Sequence, residues 1–500
     1  MDEDVLKDEC AVFGCVSKPE LAGVVSVKEV IYLGLLALQH RGQESSGMVL
    51  HNGKEMMSKK GMGLVGNIYS DTPASLEGHM GIGHNRYSTA GNSSLLNAQP
   101  FVVHTIHGQI AVAHNGELVN AGKLRDRILR YGIGLSTESD SELMTQVMVR
   151  EPPRGEPNGA DFAARISNLM NLAQCSYSAL LMTSHGQLFA FRDPFGNRPL
   201  CLGEMTINQD AMPDSPFDSP PSKMIKQEDM IYLVSSESCS FSSIGARKVR
   251  DVKPGEIVQI TESGFETVGM VSRPDNKPPA FCIFEFVYFA RPDTSFQGNL
   301  VHMARRQCGR QLALEAPVDA DIVSTIPDSA TPAAMGFSEI SGIPYCEVVV
   351  KNRYVGRTFI QPNSYLRKRG VMTKFGPLTD NFKGKKIVLI DDSIVRGNTM
   401  PYIVDLLKSA GAAEVHIRIA SPPLKHPCFM GINIPTKEEL IANHYDSTAL
   451  GKKFGATSLV YLSVEGLVNA VEDGITEKDK DNVGHCTACL TGKYPVELEW

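Results

Sequence analysis

Two stretches of this 500-residue chain combine residue types that could do chemistry. In the first, residues 387–399 read I-V-L-I-D-D-S-I-V-R-G-N-T: four apolar residues end in two adjacent carboxylates, Asp391 and Asp392, and a short loop follows. Ser393, Gly397 and Thr399 can offer backbone and hydroxyl donors to an anion such as phosphate at a helix N-terminus. The carboxylates would repel a phosphate placed directly on them. They suit ribose hydroxyls, a developing cation, or a magnesium ion that a substrate brings with its pyrophosphate. An acidic pair at a strand end can also merely open a turn or cap a helix, and D-D alone does not separate these readings. The second stretch is K-D-E-C-A-V-F-G-C, around Cys10. If residues 1–9 were removed, Cys10 would carry a thiol and a free α-amine of pKa roughly 7.7–8.0, so one residue would supply nucleophile and base. In an intact chain the same cysteine reads as a small buried hydrophobe of an edge strand.

Regular elements must position these groups. After the acidic loop, Ile403, Leu406, Leu407 and Ala410 fall at i, i+3, i+4 and i+7, one face of a helix that Gly411 is suited to stop. Residues 414–421 then read as another apolar strand, giving a strand–loop–helix–strand unit of a parallel sheet. Ligands of such sheets bind at the carboxyl ends of strands, where this loop lies. Upstream, runs such as 108–113 and 178–183 alternate with Gly- and Asn-rich turns, which predicts a β-heavy region with some helices. After Cys282 strands and helices alternate, with 321–326 and 385–390 as buried strands. The turn-rich S-R-P-D-N-K-P-P places the main boundary near 270–280. Residues 208–229, carrying P-D-S-P-F-D-S-P-P-S, predict a mobile surface insertion. The terminal segment 481–500 is expected to be fixed down by something other than a core.

Composition sets bounds on function. Length suggests two or three domains, and 21% charged with 42% apolar residues is ordinary for a globular protein. A net charge of −7 gives no general electrostatic case for nucleic acid. No segment has the roughly 18 uninterrupted apolar residues of a membrane helix, and the acidic N-terminus lacks a signal peptide's basic and apolar regions. A cytosolic location is therefore expected, where the 11 cysteines would remain thiols rather than disulfides.

Polar, Gly-bearing segments recur in the first half where strands should end: Q-H-R-G-Q-E-S-S-G (39–47), G-H-N-R-Y-S-T-A-G (83–91), H-N-G-E-L-V-N (114–120) and S-D-S-E (139–142). With E-C-x-V-F-G they resemble the class II, N-terminal-nucleophile glutamine amidotransferases, although Ala11 stands where that family usually has Gly. The resemblance implies that Cys10 hydrolyses glutamine through a thioester. It makes Arg86 the holder of the glutamine α-carboxylate, Asp140 the partner of its α-ammonium, and Asn115 with the Gly116 N–H the oxyanion hole. Arg41 would stand beside the nucleophile at the glutamine pocket wall.

The second half carries its own resemblance. Apolar strand then D-D-S-x-V-x-x-G-x-T is similar to the phosphoribosyl-pyrophosphate (PRPP) loop of type I phosphoribosyltransferases. The implied PRPP contacts are Asp328, Ser329, Lys351, Arg353, Arg357, Asp391, Asp392, Ser393, Arg396, Gly397 and Thr399. Ser329, Asp391 and Asp392 would surround magnesium, largely through waters. In S-T-I-P-D-S-A-T-P-A-A (324–334) a strand end meets small hydroxyl residues and a helix start. K-N-R-Y-V-G-R-T-F-I (351–360) gathers cations around a glycine, which alone reads as a solvated basic loop; the resemblance implies a segment that closes over PRPP.

C-T-A-C (486–489) alone is compatible with redox, zinc or iron–sulfur use. The contexts of Cys282, Cys428, Cys486 and Cys489 resemble the cluster-bearing branch of the amidophosphoribosyltransferases, which implies a [4Fe–4S] centre stapling the tail; Cys239 is the rival ligand. Together the resemblances imply a propeptide (1–9), an αββα N-terminal-nucleophile glutaminase domain (10–275) and an α/β phosphoribosyltransferase domain (276–500) with a parallel sheet. The implied reaction turns glutamine, PRPP and water into 5-phosphoribosylamine, glutamate and pyrophosphate, the first committed step of purine synthesis, with ammonia passing between two sites. Implied too are one Mg2+ and one cluster per subunit, purine nucleotides as feedback inhibitors, and a homodimer or homotetramer.

Overall fold

The structure is a computed structural model that describes residues 10–21, 24–71, 75–87, 94–150, 161–207, 230–352, 373–432, 434, 436–476 and 483–498. The readings placed on residues 1–9, on 208–229, on Arg353 and on Arg357 lie outside the described residues.

Up to Met270 the chain forms two stacked antiparallel sheets. One has seven strands in the order Arg247–Asp251, Cys201–Thr206, Met230–Ser235, Ala11–Val16, Met80–Arg86, Ser45–His51 and Met56–Met62. The other has six, in the order Gly264–Met270, Glu256–Thr261, Gln187–Arg192, Tyr177–Thr183, Gly108–Gly116 and Phe101–Thr105. The alternation of strand side chains explains the layering. Val12 and Val16 face the inter-sheet core with Ile82, Ala111, Ala113 and Leu180, whereas Ala11, Phe13 and Cys15 pack on the helix Val27–Ala37 through Ile31 and Leu35. On the opposite outer face, Ile110, Val112 and Leu181 meet the helices Ala121–Arg130, Asp140–Arg150 and Phe162–Leu172. Both faces of the first strand are covered, so A-V-F-G-C-V reads as an unbroken apolar run. The layers are α, β, β and α.

The second half holds a four-stranded parallel sheet, ordered Ile322–Thr325, Lys386–Asp391, Glu414–Ile419 and Ser458–Tyr461. Val323, Val388 and Ile390 pack towards the helices Val301–Glu315 and Thr331–Ser341. Ile387 and Leu389 face Ile403, Val404 and Leu407 of the helix Met400–Ser409 on the other side. That helix ends as its sequence indicates, with Gly411 at φ 105°.

The tail departs from expectation. Ala488, Cys489 and Leu490 are buried, the last two within the core that also contains Phe284 and Val388. Phe281 and Cys282 pair in parallel with His485 and Cys486. Apolar burial and strand pairing therefore help to hold the tail; its short length and polar flanks hid this in the sequence.

Candidate active sites and thiol cluster

Cys10 stands immediately before the strand Ala11–Val16, and its thiol is buried. The thiol donates to the Tyr87 carbonyl at 3.3 Å, while the Tyr87 N–H points back at the sulfur from 3.5 Å. Burial pushes the thiol above its ordinary pKa, and the Tyr87 contact, Arg86 and Arg41 partly oppose this. Such a thiol needs a base to become a nucleophile.

Arg41 is placed by an element that the sequence did not reveal. Its Nε donates to the Cys10 carbonyl at 3.1 Å. The rest of the guanidinium is taken up by Glu237 at 2.6 Å and, in a fork, by both oxygens of Glu285 at 2.9 Å. All three side chains are almost wholly buried. Burial alone would raise the Glu237 carboxyl, but His40 and Arg41 hold it well below the usual range. Arg41 thus fixes the nucleophile's backbone and joins it to Glu285, which begins the π-helical turn Glu285–Phe289 in the second half. A lone acid in F-C-I-F-E-F was the available signal, since a buried carboxylate requires a partner.

The remaining glutaminase candidates gather at the strand ends. Ala11 pairs with Asn85, and His84 Nε2 lies 3.0 Å from the His114 carbonyl, which links the strand of Arg86 to the strand of Asn115. Arg86 is buried and donates to Glu44. Asn115 is 1% exposed, and among the described residues neither its Nδ2 nor its Oδ1 has a hydrogen-bond partner. An unsatisfied buried amide destabilises a fold by about 1–3 kcal/mol, so its retention points to a bond made only with a bound group. Gly116 follows in the left-handed region at φ 128°. Asp140 opens the helix Asp140–Arg150 and accepts from the Leu118 N–H at 2.8 Å. Burial pushes its carboxyl to about 6, although the Leu118 bond and Arg125 oppose the rise. Glu117, which the sequence reading omitted, is pushed to about 7 by burial and by Asp140.

In the second half a cavity of about 270 Å³ opens at the carboxyl ends of the parallel strands. Asp328, Ser329, Lys351, Asp391, Asp392, Ser393, Gly397 and Thr399 line it. Ser329 donates to Asp392 Oδ1 at 2.5 Å and Ser393 to Oδ2 at 2.8 Å. Burial raises the Asp392 carboxyl, while the two hydroxyls and Arg305 pull it down. Lys351 reaches Asp328 at 3.0 Å. Gly397 sits at φ 69°, where a Cβ would stand 2.7 Å from Ile441 and Phe454, so only glycine fits the loop between strand and helix. Arg396 turns instead to Glu439 at 2.8 Å and is not among the lining residues. Tyr288, Lys374 and Phe375 line the cavity as well. They were missed because no spacing ties them to the acidic loop; a lysine in T-K-F-G-P was the only hint.

Cys282, Cys428, Cys486 and Cys489 are gathered at the docked tail. Cys282 is the strand partner of Cys486, and the N–H groups of Lys425 and His426 both donate to the Cys489 carbonyl. Burial pushes all four thiols up, Cys282 to about 12 and Cys428 to about 11, and Cys489 feels the other three. Arg198, itself buried, lowers Cys282, Cys428 and Cys486. Cys239 lies apart, 3.6 Å from Glu237. Among the described residues no three His, Cys, Asp or Glu converge tightly enough to hold a metal ion.

Comparison with known proteins accords with this arrangement. A glutamine amidotransferase domain matches residues 84–212 and a phosphoribosyl transferase domain matches residues 310–421. The chain is 54% identical to the human amidophosphoribosyltransferase, with 100% of both chains covered. It is 40% identical to that of Bacillus subtilis, over 99% of this chain and 95% of the relative. A solved structure of the B. subtilis glutamine PRPP amidotransferase, complexed with ADP and GMP, superposes with a TM-score of 0.82 at 38% identity, covering 98% of each chain. A second, described as the allosteric regulatory enzyme of purine biosynthesis, gives 0.83 at 39% identity, over 98% of this chain and 97% of that one. The antiparallel half is thus a glutaminase domain followed by a phosphoribosyltransferase domain, and the chain belongs to the amidophosphoribosyltransferase family.

Proposed function

We propose that the chain converts glutamine, PRPP and water into 5-phosphoribosylamine, glutamate and pyrophosphate, opening purine synthesis. The Cys10 thiolate attacks the glutamine carboxamide; the C–N bond breaks and ammonia leaves with the proton taken from the thiol. Water then hydrolyses the thioester to glutamate. Removal of residues 1–9 would provide the α-amine as base, and the raised thiol pKa supports the need for one. Asn115 and the Gly116 N–H donate to the oxyanion, Asp140 pairs with the α-ammonium and Arg86 with the α-carboxylate. Ammonia passes inside the protein to C1 of PRPP, where the C1–O bond to pyrophosphate breaks and the new C–N bond forms.

The cavity at Asp391 and Asp392 carries this reading. Acids and the cations Lys351 and Lys374 line one space beside a helix N-terminus. That mixture suits a substrate with an anionic pyrophosphate and a carbon that turns cationic as it leaves. Magnesium arriving with the pyrophosphate would be held by Ser329, Asp391 and Asp392, largely through water, and would neutralise the leaving group. Asp328, Lys351, Ser393, Gly397 and Thr399 would bind the phosphates, joined by Arg353 and Arg357, and by Arg396 once it leaves Glu439. A [4Fe–4S] cluster on Cys282, Cys428, Cys486 and Cys489 would supply a redox-sensitive staple for the tail.

Purine nucleotides, whose phosphates resemble those of PRPP, would compete there, and assembly into a dimer or tetramer in the cytosol completes the reading. No helix among the described residues is long and apolar enough to cross a membrane. Two variants test the two sites: Cys10→Ala should abolish glutamine-dependent synthesis while free ammonia still reacts with PRPP, and loss of both activities would contradict separate sites. Asp391→Asn with Asp392→Asn should leave measurable glutamine hydrolysis but no phosphoribosylamine; synthesis at the normal rate would refute the loop assignment.

A further inference from the structure

The end of the Asn115 strand is pressed from behind by the other half of the molecule. Gly431 has φ 91°, and a Cβ placed on it would lie 2.9 Å from Gly116 Cα and 3.0 Å from the Glu117 nitrogen. Cβ atoms rarely approach backbone so closely, and backbone, unlike a flexible side chain, cannot move aside. Gly116 and Glu117 are fixed on their other side by Ser176, which exchanges two 2.9 Å backbone hydrogen bonds with Glu117. The Ser176 hydroxyl lies 3.0 Å from the Met430 carbonyl, and the Cys175 thiol 3.6 Å from the Met430 sulfur. Met430 is 1% exposed. The turn is in its turn held by the tail: the Tyr494 hydroxyl donates to the Pro427 carbonyl at 2.7 Å, and Lys425 and His426 donate to Cys489 at 3.0 Å. An unbroken chain of contacts thus runs from the C-terminal tail through 425–431 to the backbone of Gly116.

We propose that the 427–431 turn of the transferase half is a brace that sets the position of the Gly116 N–H in the glutaminase site, with Gly431 as its positioning residue. An oxyanion donor works only when held where charge develops, and shifts well below 1 Å reduce its contribution. A hydrogen-bonded strand end alone would leave Gly116 free to relax; contact with Gly431 backbone on one side and Ser176 on the other removes that freedom. The brace rests on the assignment of Asn115 and Gly116 as the oxyanion hole. It adds that the hole is completed by residues far along the chain, so the glutaminase half cannot reach full activity without the docked turn.

The test uses the full chain and an aldehyde analogue of glutamine, whose adduct with Cys10 places an oxyanion in the hole. Gly431→Ala should lower glutamine-dependent kcat at least tenfold with glutamine KM changed less than about threefold, and weaken the aldehyde at least tenfold. Affinity for glutamate and ammonia-dependent synthesis should stay within twofold. Ser176→Ala, which removes a hydroxyl and adds no bulk, should shift the same quantities in the same direction by a smaller factor, and it decides the matter if Gly431→Ala does not fold. Parallel loss of glutamate affinity or of ammonia-dependent synthesis would overturn the brace, as would unchanged aldehyde binding in both variants. Asn115→Ala separates the two claims. If it leaves aldehyde binding intact, the oxyanion assignment falls and the brace with it; if it weakens binding while Gly431→Ala and Ser176→Ala do not, only the brace falls.

Discussion

At the scale of single residues, Asp140 is caught between opposing forces. Burial raises its carboxyl to about 6, while the Leu118 N–H and Arg125 favour the charged form. The role proposed for it, pairing with an α-ammonium, needs the carboxylate. Above its pKa the charge is present and glutamine binds; as pH falls through about 6 the carboxyl protonates and the ion pair is lost. The kcat/KM for glutamine should therefore drop across that range when hydrolysis is followed from pH 8 to pH 5. Asp140→Asn should raise glutamine KM about tenfold or more, the worth of one charge-assisted bond, and remove the part of the acid limb near pH 6. An unchanged limb in the variant would assign it to other groups of the site, Glu117, pushed to about 7, or the Cys10 α-amine of roughly 7.7–8.0. Asn115→Ala should lower glutamine-dependent kcat by about 10²–10³, the usual effect of losing one oxyanion donor, in a steady-state assay. Cys10 and Asn115 were legible as candidates because each sits in a short polar motif beside a strand end, and Asp140 because its motif, S-D-S-E, opens a helix. Glu117 was not, because what distinguishes it is burial beside Asp140, and burial is a property of the folded chain.

Among elements, the strand Lys386–Asp391 and its following helix were legible almost to the residue. A strand covered on both faces must be continuously apolar, and the helix shows its 3.6-residue period in Ile403 and Leu407. The loop between them depends on Gly397. Gly397→Ala should raise PRPP KM about tenfold, since left-handed strain alone is worth roughly 1–2 kcal/mol and a Cβ would also meet Ile441 and Phe454 at 2.7 Å. Glutamine hydrolysis measured without PRPP should not change. The π-helical turn Glu285–Phe289 was invisible by contrast. Its first residue, Glu285, serves Arg41, 244 residues away, and no local pattern encodes a partner at that distance. Removing one member of a buried pair costs about 3–5 kcal/mol. Glu285→Ala should therefore shift the denaturant midpoint markedly downward, and slow the Cys10 reaction because Arg41 loses its fork.

For the whole molecule the question is how so short a tail stays docked. Ala488, Cys489 and Leu490 are buried, and Tyr494, Val496 and Leu498 pack partly against the cluster of Phe195 and Met430, while a two-residue pairing of Phe281–Cys282 with His485–Cys486 is a weak sheet. Burial raises the four thiols, so without a common group they stay neutral and behave as small hydrophobes. The proposed cluster would instead hold them as thiolates and cross-link positions 282, 428 and 486–489. The sequence exposed the C-x-x-C, and only a resemblance named Cys282 and Cys428 beside it; strand pairing brings Cys282 to Cys486, and the Lys425 and His426 bonds to Cys489 bring the segment before Cys428 to the tail. Protein purified without oxygen should accordingly contain iron and sulfide and absorb broadly in the visible range. Cys486→Ser should bleach that absorbance, lower the thermal midpoint by several degrees and open the tail to proteolysis near 483–498. Stoichiometric zinc with no visible band would exclude the cluster. Unchanged iron in the variant would remove Cys486 from the ligand set, and an intact tail after complete loss of iron would show that apolar contacts alone suffice to hold it.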